Sequence, residues 1–240
     1  MKRYIRKYYS ELYAGGKSAG VPVTRGRSLA AELGYPSALF EDIPEDIWED
    51  FLPCGNVLGL VHPTPGEVFL NLGCGVGVDS FGLTMPLPAE QADVRVVSLD
   101  TAVTALIKAS RFAKKVFPDK ALDFICADGG ILPFEAGAFD SVLLNGVFNL
   151  FPDKQELILE LHRVLKDRGR VIGADLCRRL ILPDYFTTEP DAWAWCMSGA
   201  LSEQELSAVF LHSGFEKLEL MSEKMDDFFD RSLFVFQKAG

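Results

Sequence analysis

Val68-Phe69-Leu70-Asn71-Leu72-Gly73-Cys74-Gly75-Val76-Gly77-Val78-Asp79 is an apolar run that breaks into three glycines at alternate positions and then resumes with helix-compatible residues. It reads as a strand running directly into a tight turn and a helix. Gly73 and Gly75 let the backbone turn sharply and come close to a ligand, which a Cβ would prevent, and Gly77 lets the new helix pack tightly. An ordinary strand-to-helix connection could carry such a turn as well. The next acidic residue gives it meaning: Val96-Val97-Ser98-Leu99-Asp100 ends a second strand on a carboxylate able to accept hydrogen bonds from both hydroxyls of a ribose. Strand, glycines, helix, strand and acid together make a nucleoside-binding unit.

Outward from that unit, residues 67–72, 94–99, 122–126, 139–144 and 170–175 read as successive strands, each short, apolar and bounded by Gly, Pro or Asp. Residues 101–116 place Val103, Leu106, Ile107 and Ala113 on one helical face. Residues 152–167 do the same with Leu157, Leu161, Val164 and Leu165, with Asp153 as N-cap and Gly169 as the stop. Such alternation implies parallel strands joined by crossover helices. Further on, Ser202-Glu203-Gln204-Glu205 has capping-box spacing, and residues 217–221 and 232–237 read as two more strands, antiparallel additions at the sheet edge. The expected fold is α/β, a doubly wound, mostly parallel seven-stranded sheet.

The first 65 residues differ. Tyr4, Tyr8, Tyr9 and Tyr13 recur at helical spacing, residues 14–27 are Gly-rich and polar, and short helical stretches such as 44–51 lead to Cys54-Gly55-Asn56. They read as an N-terminal helical cap or lid, residues 1–65, over a nucleoside-binding domain of residues 66–240. An extension that only covers core surface is the alternative.

The net charge of −10 repels a phosphate backbone and argues against a nucleic-acid partner. Lys2, Arg3, Arg6 and Lys7 cluster near the start without the apolar stretch and cleavage site of a secretory signal. No apolar run approaches the roughly 18 residues of a membrane span. The cysteines, Cys54, Cys74, Cys126, Cys177 and Cys196, show no CxxC pair and no zinc spacing, which predicts reduced thiols in a cytoplasmic protein and no metal site. The expected partner is a small-molecule substrate.

NAD and S-adenosyl-L-methionine both contain adenosine, but the glycine pattern is GxGxG, without the phosphate-binding GxGxxG. Cys126-Ala127-Asp128-Gly129-Gly130-Ile131-Leu132-Pro133-Phe134 and Phe139-Asp140-Ser141-Val142-Leu143-Leu144-Asn145-Gly146-Val147 follow in order. Residues 66–176 thereby resemble the class I S-adenosylmethionine-dependent methyltransferases, with their Rossmann-like sheet. The resemblance implies S-adenosyl-L-methionine as cofactor, held by Tyr8, Asn71, Gly73, Cys74, Gly75, Gly77, Asp79, Asp100, Thr101, Asp128, Gly129, Asn145 and Val147, with Asp128 reaching the adenine amino group. Asn71 departs from the family, which usually has an acidic residue there.

Further stretches resemble the arsenite methyltransferase-like branch: Tyr8-Tyr9, Leu33-Gly34-Tyr35, Cys54-Gly55-Asn56, Asn145-Gly146-Val147-Phe148-Asn149-Leu150 and Trp195-Cys196-Met197-Ser198-Gly199-Ala200-Leu201. The resemblance implies that Cys54 and Cys196 bind a trivalent arsenical, for which soft thiolates are suited. Two departures weigh against capture of inorganic arsenite by three thiols: no cysteine follows Cys196, and Gly146 stands where many members carry cysteine. Transfer to another small metabolite, a cofactor-binding module that transfers nothing, and an NAD-linked oxidoreductase remain the competing readings. Cys74, Cys126 and Cys177 are expected to pack, and His62, His162 and His212 to be structural or surface residues. Phe148, Phe151, Tyr185, Trp193 and Trp195 are candidates to wall a substrate pocket.

Overall fold

The computed structural model describes residues 1–15, 25–85 and 94–240. Much of the polar stretch expected over residues 14–27 lies outside the described residues. Helices α1 (Lys2–Tyr13), α2 (Arg27–Glu32), α3 (Ser37–Asp42) and α4 (Glu45–Trp48) precede the sheet. The remainder alternates as β1 (Val68–Leu72), α5 (Val78–Thr84), β2 (Arg95–Asp100), α6 (Val103–Val116), β3 (Leu122–Cys126), β4 (Phe139–Asn145), α7 (Lys154–Val164) and β5 (Leu165–Arg178). Then come α8 (Asp184–Thr188), α9 (Pro190–Ala194), α10 (Glu203–Leu211), β6 (Phe215–Lys224) and β7 (Phe229–Lys238).

The seven strands form one sheet in the order β3-β2-β1-β4-β5-β7-β6. The chain winds outward from β1 to one side and from β4 to the other, so the C-terminal ends of β1 and β4 border a crevice where ligands of such sheets bind. The central strands are covered on both faces and are therefore almost continuously apolar: Phe69, Leu70 and Leu72 of β1 and Val142, Leu143 and Leu144 of β4 are buried. On one face, Leu157, Ile158 and Leu161 of α7 and Leu206 and Phe210 of α10 pack on Leu70, Leu72 and Val142. Phe210 stacks on Phe236 of β7 with ring centroids 4.2 Å apart. On the other face, Ala105, Ala109 and Ala113 of α6 and Phe81 of α5 share a core with Tyr35, Leu39, Ile43, Ile47 and Trp48 from the segment before β1.

Local signals hold where capping chemistry sets them. The Asp153 side chain accepts from the Glu156 N–H at 2.9 Å to start α7, and Ser202 and Glu205 form a reciprocal capping box on α10. Two expectations are corrected. Helix α7 stops at Val164, not at Gly169, because Leu165 already pairs with Phe139 as the first residue of β5. Only β7 is reversed at the sheet edge: it inserts antiparallel between β5 and β6, which returns β6 to the direction of the main sheet. No helix among the described residues is long and apolar enough to cross a membrane.

Candidate functional site

Three left-handed glycines turn the chain out of β1, with φ of +72° at Gly73, +52° at Gly75 and +86° at Gly77. A Cβ on Gly73 would sit 2.2 Å from the Val147 side chain, and one on Gly75 would sit 2.7 Å from the Tyr13 hydroxyl. Only glycine leaves the turn and the space above it intact. The Gly75 N–H donates to Asp100 Oδ2 and the Ala102 N–H to Asp100 Oδ1, each at 2.8 Å. Those bonds aim the carboxylate across the turn, and each oxygen keeps lone-pair capacity for a further donor. Burial pushes the Asp100 pKa up, and the N–H groups of Ala102, Gly75 and Thr101 oppose that rise.

Above the turn lies a cavity of about 370 Å³. Its walls include Gly73, Cys74, Gly75, Asp79, Asp100, Thr101, Asp128, Gly129, Asn145 and Val147, all assigned to the cofactor from the sequence. Three residues so assigned stand elsewhere. Asn71 turns away because its strand neighbour Leu72 faces the cavity; its amide donates to Ser80 Oγ at 2.8 Å in a buried cluster that Ser98 joins. Gly77 serves close packing, since a Cβ there would meet Phe81, Ala109 and Phe124 at 3.0–3.3 Å. Tyr8 borders a second cavity, and its hydroxyl accepts from Trp195 Nε1 at 2.8 Å.

Helix α1 instead presents Tyr9 and Tyr13 to the first cavity, with Ile5 a turn earlier, and Asp50, Phe51 and Leu52 enter from the loop after α4. Sequence reasoning missed these residues. The i, i+4 spacing of Tyr9 and Tyr13 was the available signal. Lys2, Arg3 and Arg6 bring the basic cluster to the same cavity.

A buried polar network ties this cavity to Cys54. Tyr35 Oη donates to Asp79 Oδ1 at 2.8 Å, and Asn145 Nδ2 donates to Asp79 Oδ2 at 3.0 Å. Asn145 Oδ1 in turn accepts from the N–H groups of Cys54 and Gly55 at 2.8 and 3.3 Å. One carboxamide at the end of β4 thus fixes both the carboxylate and the loop. Burial pushes the Asp79 carboxyl up to about 6, against the bonds from Tyr35 and Asn145.

The second cavity, of about 210 Å³, is lined by Cys54, Cys196, Tyr8, Trp195 and Leu176 among others, and it shares Tyr9, Leu52 and Gly146 with the first. The fold packs the two thiols into one cluster and sets both against Gly146, although the sequence places them far apart. Cys196 Sγ also donates to the Gly146 carbonyl at 3.2 Å. Its backbone is left-handed, with φ of +62°, an uncommon conformation for a residue with a Cβ. The contact with Cys54, burial and the nearby Asp175 all raise the Cys196 thiol pKa.

Asp175 is a further residue that the sequence reading missed. It is buried at the end of β5, where Oδ2 accepts from the Asn149 N–H at 3.0 Å and Oδ1 from Asn149 Nδ2 at 2.8 Å, and its charge raises the Cys196 thiol pKa. Burial pushes its carboxyl up to about 6. Lys154, brought down to about 8 by burial, caps the carbonyls of Phe148, Asn149 and Phe151 beside it.

The other candidates separate. Cys74 and Cys177 are buried with thiol pKa values raised by desolvation, whereas Cys126 is exposed at the edge strand and does not pack as expected. Phe151 walls the first cavity and Trp195 the second. Phe148 belongs to the core against Phe210, and Tyr185 is exposed. His162 packs edge-on against Phe215, and His212 ends α10.

Comparison with known proteins shows the family of the chain. The model of the methyltransferase domain family matches residues 63–223. An arsenite methyltransferase of Halobacterium salinarum is 32% identical over 70% of this chain and 42% of its own length. A human arsenite methyltransferase is 32% identical over 73% of this chain and 48% of its own length. The chain spans about half the length of the curated relatives it matches. Among solved structures, an arsenic(III) S-adenosylmethionine methyltransferase from Chlamydomonas reinhardtii aligns with a TM-score of 0.69 at 23% identity, over 85% of this chain and 73% of that one. At that identity the likeness is one of fold. The chain belongs to the methyltransferase domain family and is similar to the arsenite methyltransferases.

Proposed function

We propose that this chain transfers the methyl group of S-adenosylmethionine to a small trivalent methylated arsenical held by Cys54 and Cys196. The observation that carries the reading is the packing of two sequence-distant thiols in one cavity that shares three wall residues with the cavity over the glycine turn.

The first cavity suits the cofactor on its own chemistry. Its volume of about 370 Å³ is within the range of small-molecule sites, and its floor is a glycine cradle that a Cβ would fill. Asp100 would accept from the ribose hydroxyls. Asp128, whose Oδ1 already accepts from the Gly130 N–H at 2.9 Å, would receive the adenine amino group. Asp79 and Asn145 would hold the amino-acid end, and Tyr9 and Tyr13 of α1 would close over it as the lid part of residues 1–65. When bound, S-adenosylmethionine supplies an electrophilic methyl group on a positively charged sulfur.

Cys54 and Cys196 would bind the arsenical by ligand exchange, each new As–S bond replacing an As–O or As–S bond whose leaving group carries off the thiol proton as water or free thiol, soft donors for a soft centre. Asn145 holds the Cys54 loop, and the Gly146 carbonyl holds the Cys196 thiol, so the chain would supply orientation. A reducing, cytoplasmic setting fits this use of free thiols.

The test is methyl transfer to trivalent methylarsenical with a small thiol present, comparing the native chain with Cys54→Ser and Cys196→Ser. The expected outcome is a rate at least tenfold lower in each variant. Equal rates in all three would remove the acceptor assignment, and absence of calorimetric binding at millimolar S-adenosylmethionine would remove the cofactor. A second reading, transfer to another small acceptor, draws on the absence of cysteine after Cys196. It predicts cofactor binding with the arsenical left unmethylated by the native chain.

A further inference from the structure

Methyl transfer in line requires the acceptor and the methyl group to meet directly, so the residues common to both cavities decide what can pass between them. Those residues are Tyr9, Leu52 and Gly146. Gly146 has no side chain to interpose. Its φ is +67°, and a Cβ there would meet Cys54 Sγ at 3.2 Å. It leaves an opening beside both sulfurs. Leu52 belongs to the loop that carries Cys54.

Tyr9 is different in origin and in size. It hangs from α1, with its ring centroid 5.5 Å from that of Tyr8 and 6.2 Å from that of Tyr13. Its hydroxyl donates to the Ala194 carbonyl at 2.8 Å, two residues before Cys196. The same helix is fastened to that segment by Tyr4 to Asp191 and by Trp195 Nε1 to the Tyr8 hydroxyl. The ring is therefore clamped at both ends, and it faces a thiol cavity of only about 210 Å³.

We propose that Tyr9 is a specificity-determining wall between the cofactor and acceptor cavities, admitting acceptors with methyl-sized substituents and rejecting those that carry an aromatic ring. The proposal rests on the reading of the second cavity as the acceptor site. A rigid ring in close-packed surroundings excludes volume sharply, and removing it frees space of the size that a phenyl substituent needs.

The experiment measures protection of Cys54, the more exposed thiol of the pair, from iodoacetamide, read by mass spectrometry, using trivalent methylarsenical and trivalent phenylarsenical as probes. In the native chain, half-protection by the phenyl probe should require at least tenfold more ligand than by the methyl probe. Tyr9→Ala should shrink that ratio to threefold or less, whereas Tyr9→Phe, which keeps the ring, should hold the native ratio. Tyr9→Leu, which keeps helix propensity and apolar burial, carries the same test with an intermediate ratio if the alanine variant does not fold. Equal protection by both probes in the native chain, or an unchanged ratio in the Ala and Leu variants, overturns the wall while leaving the acceptor site standing. Failure of both probes to protect Cys54 overturns the acceptor site itself, and the wall with it.

Discussion

Gly75 shows how one missing Cβ sets the affinity of a site. Its φ of +52° lies in the left-handed region that favours glycine, and a Cβ would stand 2.7 Å from the Tyr13 hydroxyl. Gly75→Ala would force both the turn and the aromatic roof to shift, at a cost of about 1–3 kcal/mol of strain. The expected result is at least tenfold weaker S-adenosylmethionine binding by calorimetry, and an unchanged affinity would show that the turn does not shape the site. This glycine turn was legible because strand, turn and acid stand in sequence order. Asn71 could have been excluded from the cavity by the same logic: strand residues alternate faces, and Leu72 lines the cavity. The choice between Tyr8 and Tyr9 was not legible, because adjacent helical residues point about 100° apart and nothing local says which face docks. The meeting of Cys54 with Cys196 came only from the resemblance, since no spacing rule connects residues joined through β4 and the segment after β5.

At the scale of elements, α1 and the segment from α2 to α4 have separate duties, although the sequence reading joins them in one cap. Residues of α2 to α4 bury Leu29, Leu39, Ile47 and Trp48, and much of that surface lies in a core shared with α5 and α6. Helix α1 buries only Ile5 and Leu12 while contributing Tyr9 and Tyr13 to the first cavity. Removal of residues 1–13 is therefore expected to lower the melting temperature by only a few degrees. The same truncation should weaken cofactor binding tenfold or more and speed alkylation of Cys196. Unfolding of the truncated chain would instead assign α1 to the core. Strand boundaries were legible where Gly, Pro or Asp punctuates the chain. The start of β5 was not, because the charged run Lys166-Asp167-Arg168 continues a helical pattern while tertiary pairing of Leu165 with Phe139 has already drawn the backbone into the sheet.

For the molecule as a whole, the two buried carboxyl groups beside the paired cavities couple the site to stability. Asp79 and Asp175 are 4% and 3% exposed, and burial pushes each up from 3.8 to about 6. Between about pH 4 and pH 6 the folded chain keeps protons that the unfolded chain has released, so this contribution is fully present below pH 4 and is lost as pH rises through 6. A shift of that size corresponds to about 3 kcal/mol per group at most. Stability toward urea should accordingly fall as pH is raised from 5 to 7.5. Relief of self-repulsion in a chain of net charge −10 has the same sign, but salt screens it, whereas the buried groups respond little to salt. Asp79→Asn and Asp175→Asn keep the side-chain shape and remove the titration. In 0.5 M salt each should flatten the pH dependence of the unfolding free energy, with Asp100, also raised by burial, carrying part of the remainder, and a dependence equally steep in both variants would place the responsible groups elsewhere.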